Sequence, residues 1–108
     1  MPAIETQLET LSMPKAYWVA TYPVMKNPER HVIAARLAAA AVEAGGGTFI
    51  VRGNPVRTYE FGHDQRVVIV EFSSVEQAMA AYDSPAYQAA VAILGDDANR
   101  DIRIIEAL

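Results

Sequence analysis

RVVIVEF, residues 66–72, is the stretch that decides the fold. Both of its alternating faces are apolar, with Val67 and Ile69 on one and Val68, Val70 and Phe72 on the other. That composition suits a central strand covered on both sides rather than an edge strand with one wet face. The exception is Glu71, wedged between Val70 and Phe72. A strand this apolar belongs in the middle of a sheet, so its neighbours must be sought on either side of it in the chain.

Downstream, SSVEQAMAAY opens a helix, with Ser74 and Gln77 at capping-box spacing. SPAYQAAVAIL restarts it, Ser84 as cap and Pro85 at the first helical position, so two helices are expected rather than one. RDIRIIE, residues 100–106, alternates weakly and reads as the last strand. Upstream, GHD at residues 62–64 is a turn, and VRTYEF at 56–61 continues from the preceding strand as an exposed ribbon. That strand is TFIVR, residues 48–52, which follows the helix-closing Gly45-Gly46-Gly47. NPER places Asn27 as N-cap and Pro28 at the first position of a helix whose apolar stripe is Val32, Ile33, Leu37, Ala40 and Ala41. KAYWVATY, residues 15–22, is a strand closed by Pro23. The order is strand, helix, strand, strand, helix, strand. That is an α+β, ferredoxin-like βαββαβ protomer, a four-stranded antiparallel sheet with helices on one face. The other sheet face is too apolar to meet water, and a homodimer packed through this open face is the economical solution.

The 108 residues suffice for one domain, read here as residues 15–108 behind a short N-terminal appendage at 1–14. The appendage carries Glu5 and Glu9 and no basic region, unlike a signal peptide, and no apolar run is long enough to span a membrane. A net charge of -4 with scattered basic residues argues against nucleic acid. The absence of cysteine excludes disulfides and thiolate chemistry and fits a cytoplasmic protein. Several motifs fail on context. The triple glycine follows a helix and precedes a strand, the reverse of a phosphate-cradling loop. DANRD, residues 97–101, has the alternating oxygens of a calcium loop, but Ile102 stands where glycine is required. Two histidines in separate elements do not make a metal site, and no cofactor is implied.

What remains is a set of polar and aromatic residues at strand and helix ends. A carboxylate in an apolar strand tends to find a cation or a polar pocket, which makes Glu71 the first candidate for acid–base chemistry. A structural ion pair is the competing reading. Arg52, at the end of the second strand, is its expected partner or the holder of an anionic oxygen. Tyr82 and Tyr87 flank the helix break at Ser84, where irregular backbone can line a cavity. With Ser84, Tyr17 and His31 they make up the candidate ligand-binding residues, although aromatics also serve as core and a lone histidine is commonly a surface residue.

KAYWVATYPVMKNPERH, GGGTFIVRG, RVVIVEFSSVEQAMAAYDSPAYQ and the closing IRIIE, spread over residues 15–107, resemble the family called domain of unknown function 1330. The resemblance implies membership of the dimeric α/β-barrel superfamily, which includes cofactor-free monooxygenases, isomerases and cyclases. It implies a ferredoxin-like protomer and a barrel-forming dimer, and it names no reaction. Two functional readings follow. One is a small cofactor-independent enzyme with Glu71 as acid or base, Arg52 as anion holder and the tyrosines around a small-molecule ligand. The other is a non-catalytic metabolite-binding or structural homodimer.

Overall fold

The computed structural model describes residues 14–23, 27–97 and 99–108. The N-terminal appendage lies outside them, Pro14 excepted. The elements run β1 (Ala16–Tyr22), α1 (Pro28–Ala44), β2 (Thr48–Gly53), β3 (Arg66–Phe72), α2 (Val75–Asp83), α3 (Pro85–Leu94) and β4 (Asp101–Glu106). A single 3₁₀ turn, Gly95–Asp97, joins α3 to the approach to β4. The sheet order is β2-β3-β1-β4 with every pair antiparallel. The apolar strand β3 is therefore central, and the protein is the expected α+β, ferredoxin-like fold.

Local chemistry sets the element ends. Asn27 caps α1 by accepting the Arg30 N–H, and Pro28, which has no N–H, occupies a first-turn position where one would lack a helical partner. Ser74 accepts the Gln77 N–H at 3.1 Å, while the Gln77 side chain reaches back to both the N–H and the hydroxyl of Ser73. Ser84 receives the Tyr87 N–H and donates its hydroxyl to the Ala81 carbonyl, so one side chain ends α2 and starts α3. Gly46 sits at φ +93°, where a side chain is strained, and Gly47 leaves no room for one. A Cβ there would lie 2.7 Å from Val42 and Val70 and 2.8 Å from Phe72.

Alternation divides the sheet cleanly. Ala16, Trp18 and Ala20 of β1 and Val68, Val70 and Phe72 of β3 are buried beneath the helices. Tyr17, Val19 and Thr21 with Val67, Ile69 and Glu71 form the open face. Trp18 centres an aromatic cluster, edge-on to Tyr87 at 5.0 Å and packed with Phe72 and Tyr82. Two sequence readings change. Helix α1 turns Ala34, Ala41 and Val42 to the core and leaves Val32, Ile33 and Leu37 about half exposed, because the large residues lie one step around the helix from the face that meets the sheet. Residues 54–65 form no ribbon. Glu60 takes a positive φ, Gly62 closes a turn onto Tyr59, and Val56 and Phe61 stand essentially fully in solvent.

Candidate functional site

The alanines of α1 create the site. Ala34, Ala35, Ala38 and Ala39 face the sheet with one methyl each, and between them and Trp18, Val68 and Val70 lies a cavity of about 600 Å³. Its volume falls in the range of ligand pockets of about 300–1,000 Å³. The floor is apolar, formed by Phe49, Val42 and the core side of β3. The polar groups gather where β1, β2 and the last helix end and α1 and β3 begin: Tyr22, His31, Arg52, Asn54, Asp64, Arg66 and Arg100.

Two of these rim residues, His31 and Arg100, form polar pairs. The His31 imidazole, in the first turn of α1, meets Asp97 across the fold with Nε2 to Oδ2 at 3.0 Å. Asp97 is buried and also accepts the Asn27 backbone N–H at 2.9 Å, so the start of α1 and the 3₁₀ turn are tied together by one carboxylate. The tautomer that donates Nε2–H to this carboxylate carries its lone pair on Nδ1. In the second pair, Arg100 Nη1 donates to the Tyr87 hydroxyl at 2.8 Å. Burial raises the Tyr87 pKa above its ordinary 10.0, an effect that the neighbouring Arg100 only partly offsets.

Among the residues singled out in the sequence, His31, Arg52 and Tyr87 line this cavity. Tyr82 packs on Trp18 and Tyr87 outside its lining, and Ser84 is occupied with capping. Glu71 and Tyr17 lie on the open face of the sheet, near its other end. There Glu71 pairs with Lys15 Nζ at 2.8 Å and lies 3.4 Å from the Tyr17 hydroxyl. The Lys15 hydrogen bond holds the carboxyl below its ordinary value, and Glu71 in turn raises Lys15.

The expected Glu71–Arg52 partnership is absent, because antiparallel pairing puts Arg52 toward the opposite end of β3 from Glu71, and a β-bulge turns it to the other face of the sheet as well. Thr48 stands opposite Glu71 and Phe49 opposite Val70, but the next partner of Ile69 is Val51, so Ile50 is an extra residue. In a regular strand Thr48 and Arg52 would share the face of Glu71. The extra residue moves Arg52 to the helix face opposite Val68, with its guanidinium 4.2 Å above the Phe49 ring.

Asp97, Arg66 and Arg100 were not foreseen as site residues. Asp97 drew notice only as part of the calcium-like run, and its neighbours there take other roles, Asp101 holding Arg103 through two contacts of 3.1 Å. Nothing in the sequence links Asp97 to a histidine 66 residues earlier. Among the described residues no group of three or more His, Cys, Asp or Glu is placed to hold a metal ion, and no helix is long and apolar enough to cross a membrane.

The family described as a domain of unknown function (DUF1330) matches residues 15–108. No curated protein matches the chain. Among solved structures, a protein of unknown function from Rhodopseudomonas palustris is 16% identical, with all of this chain and 94% of that one aligned at a TM-score of 0.63. A dimeric ferredoxin-like protein of unknown function from Thermobifida fusca is 14% identical over 88% of this chain and 92% of its own, at 0.58. A Caulobacter crescentus protein provisionally assigned as an antibiotic biosynthesis monooxygenase is 18% identical over 94% of this chain and 98% of its own, at 0.57. At these identities the likeness is one of fold.

Proposed function

Since the chain belongs to the domain of unknown function 1330 family, a membership that carries a fold but no reaction, we propose from its own residues that it is a small cofactor-independent acid–base enzyme acting in the α1–sheet cavity. The observation that carries this reading is His31 on the rim of an apolar cavity, held from behind by Asp97. An imidazole can take or give a proton near neutral pH, and a carboxylate on one nitrogen orients the ring and stabilises the imidazolium formed when the other nitrogen takes a proton. Arg52 and Arg66 on the same rim can hold charge that develops on a substrate oxygen. Glu71 has no such setting. It serves better as an ion-pair partner on the sheet face than as the acid or base.

The open face suits a second copy of the chain. Val19, Val67, Ile69, Val51 and Ile105 present an apolar surface there, and the Thermobifida relative is described as dimeric. Two sheets packed on these faces give the α/β barrel and leave the cavity, on the other side of each sheet, to each protomer.

The test is a ligand screen by thermal shift with small phenols, lactones and carboxylates on wild type and on Ala38→Leu, followed by turnover assays on hits with wild type and His31→Gln. Ligands that raise the melting temperature of wild type but not of Ala38→Leu support the cavity. Turnover falling at least 100-fold in His31→Gln, with binding retained, supports the acid–base role. Binding without turnover in wild type leaves a metabolite-binding protein, and no binding removes the site.

A further inference from the structure

Resting on the cavity as the ligand site, we infer that its ligand is a carboxylate with an apolar body, and that Arg100 and Tyr87 receive the carboxylate. Three observations converge. First, Arg52, Arg66 and Arg100 line the cavity, whereas the acids there are Asp64 on the rim and the His31-bound Asp97 beside it. In a chain of net charge -4, this is a local excess of positive charge. Oriented cations in a cleft with low-dielectric walls favour an anion.

Second, the Arg100 guanidinium is only partly satisfied. Nη1 is spent on the Tyr87 hydroxyl, but Nε is buried and has no hydrogen-bond partner among the described residues. Buried polar groups are nearly always paired, so the protein's own acceptors among the described residues leave this guanidinium incompletely satisfied, and for a cavity-lining guanidinium a carboxylate is the geometric match. Arginine and lysine differ here, since a lysine has no planar donor fork.

Third, Tyr87 is arranged as a donor. Its oxygen accepts from Arg100, and burial keeps its proton on well above neutral pH, so the O–H remains to donate. The tyrosine and the arginine together offer a carboxylate hydrogen bonds from a phenol and a cation. The remaining wall, from Trp18, Val68, Val70, Ala38 and Val91, is apolar and takes an aliphatic or aromatic body.

The experiment titrates the purified protein with hexanoate and benzoate and with their neutral counterparts hexanamide and benzamide, at pH 7 by calorimetry. Wild type is expected to bind each acid at least tenfold more tightly than its amide. Arg100→Gln is expected to erase that preference without weakening the amide, and Arg100→Lys to keep only part of it. Tyr87→Phe, which leaves the cation in place, is expected to reduce the preference several-fold, giving a second reading if Arg100→Gln does not fold. Ala38→Leu is expected to weaken acids and amides together. Acids and amides bound alike by wild type, and lost alike in Ala38→Leu, would overturn the carboxylate inference while leaving the cavity as a ligand site. A preference that survives in both Arg100→Gln and Tyr87→Phe would overturn the assignment to this pair. Failure of every probe to bind would overturn both the inference and the reading beneath it.

Discussion

At the scale of single residues, Glu71 and Tyr87 show how burial separates a surface charge from a buried group. Glu71 shares a hydrogen-bonded ion pair with Lys15, whose side chain is 62% exposed. Solvent screening leaves such pairs with little net effect. Glu71→Gln is accordingly expected to melt at nearly the wild-type temperature at pH 7, as differential scanning calorimetry can check. The depressed carboxyl contributes stability that is present above its unfolded value of 4.5 and is lost as pH falls through the folded value, so any difference from the variant disappears in acid. Tyr87 behaves in the opposite sense. Its pKa is raised by burial, so as pH climbs past 10.0 the unfolded chain loses the phenol proton first and the folded state loses ground until its own, higher pKa is passed. Tyr87→Phe should flatten that alkaline decline in urea melts between pH 9 and 11. At pH 7 it should cost about 1–3 kcal/mol, because Arg100 Nη1 loses its acceptor.

At the scale of elements, α1 and the β2 entrance set the shape of the site in opposite ways. Helix α1 offers alanines where a packed core would carry leucines, and the cavity is the volume they leave. Ala38→Leu should therefore fill space rather than create strain, raising stability by about 0.5–2 kcal/mol in urea unfolding while abolishing ligand binding. A loss of stability would mean that the helix already contacts the sheet closely at that point. Gly47, between α1 and β2, has no such room. Gly47→Ala places a methyl against Val42, Val70 and Phe72 and should destabilise the fold by about 1–3 kcal/mol in the same measurement.

At the scale of the whole molecule, the sheet has two unlike faces. One is sealed by helices over the aromatic cluster and the cavity. The other shows β-branched residues from β1, β2 and β3 to the outside. Ile69 lies at the centre of that open face, paired with Val19 on one side and Val51 on the other. Ile69→Glu should convert a homodimer to a monomer in sedimentation velocity, with the far-ultraviolet circular dichroism unchanged. A wild type that already sediments as a monomer would remove the sheet-to-sheet barrel and leave the cavity reading untouched, since the two sites lie on opposite faces.

Most of the architecture was legible in the sequence because it depends on short-range chemistry. Alternation in RVVIVEF marked the central strand, and Asn27-Pro28, Ser74 with Gln77, and Ser84-Pro85 marked three helix starts, each fixed by side chains within three residues of the backbone group they satisfy. His31, Arg52 and Tyr87 could be nominated from their place near element ends. What they meet could not. The stripe of large residues on α1 looked like its buried face, yet the sheet selects the alanine face, a choice made by packing and not by periodicity. Simple alternation puts Arg52 on the face of Glu71, and only the antiparallel register against β3 reveals that it stands toward the other end of that strand and, through the extra residue Ile50, on the other face. The His31–Asp97 and Arg100–Tyr87 pairs join residues far apart or across an irregular segment, where no repeat carries information from one to the other. The sequence thus determined the elements and their order through local hydrogen bonds and apolar periodicity, while the tertiary structure alone decided which polar groups share a cavity, because that depends on helix rotation, strand register and the distance between chain segments.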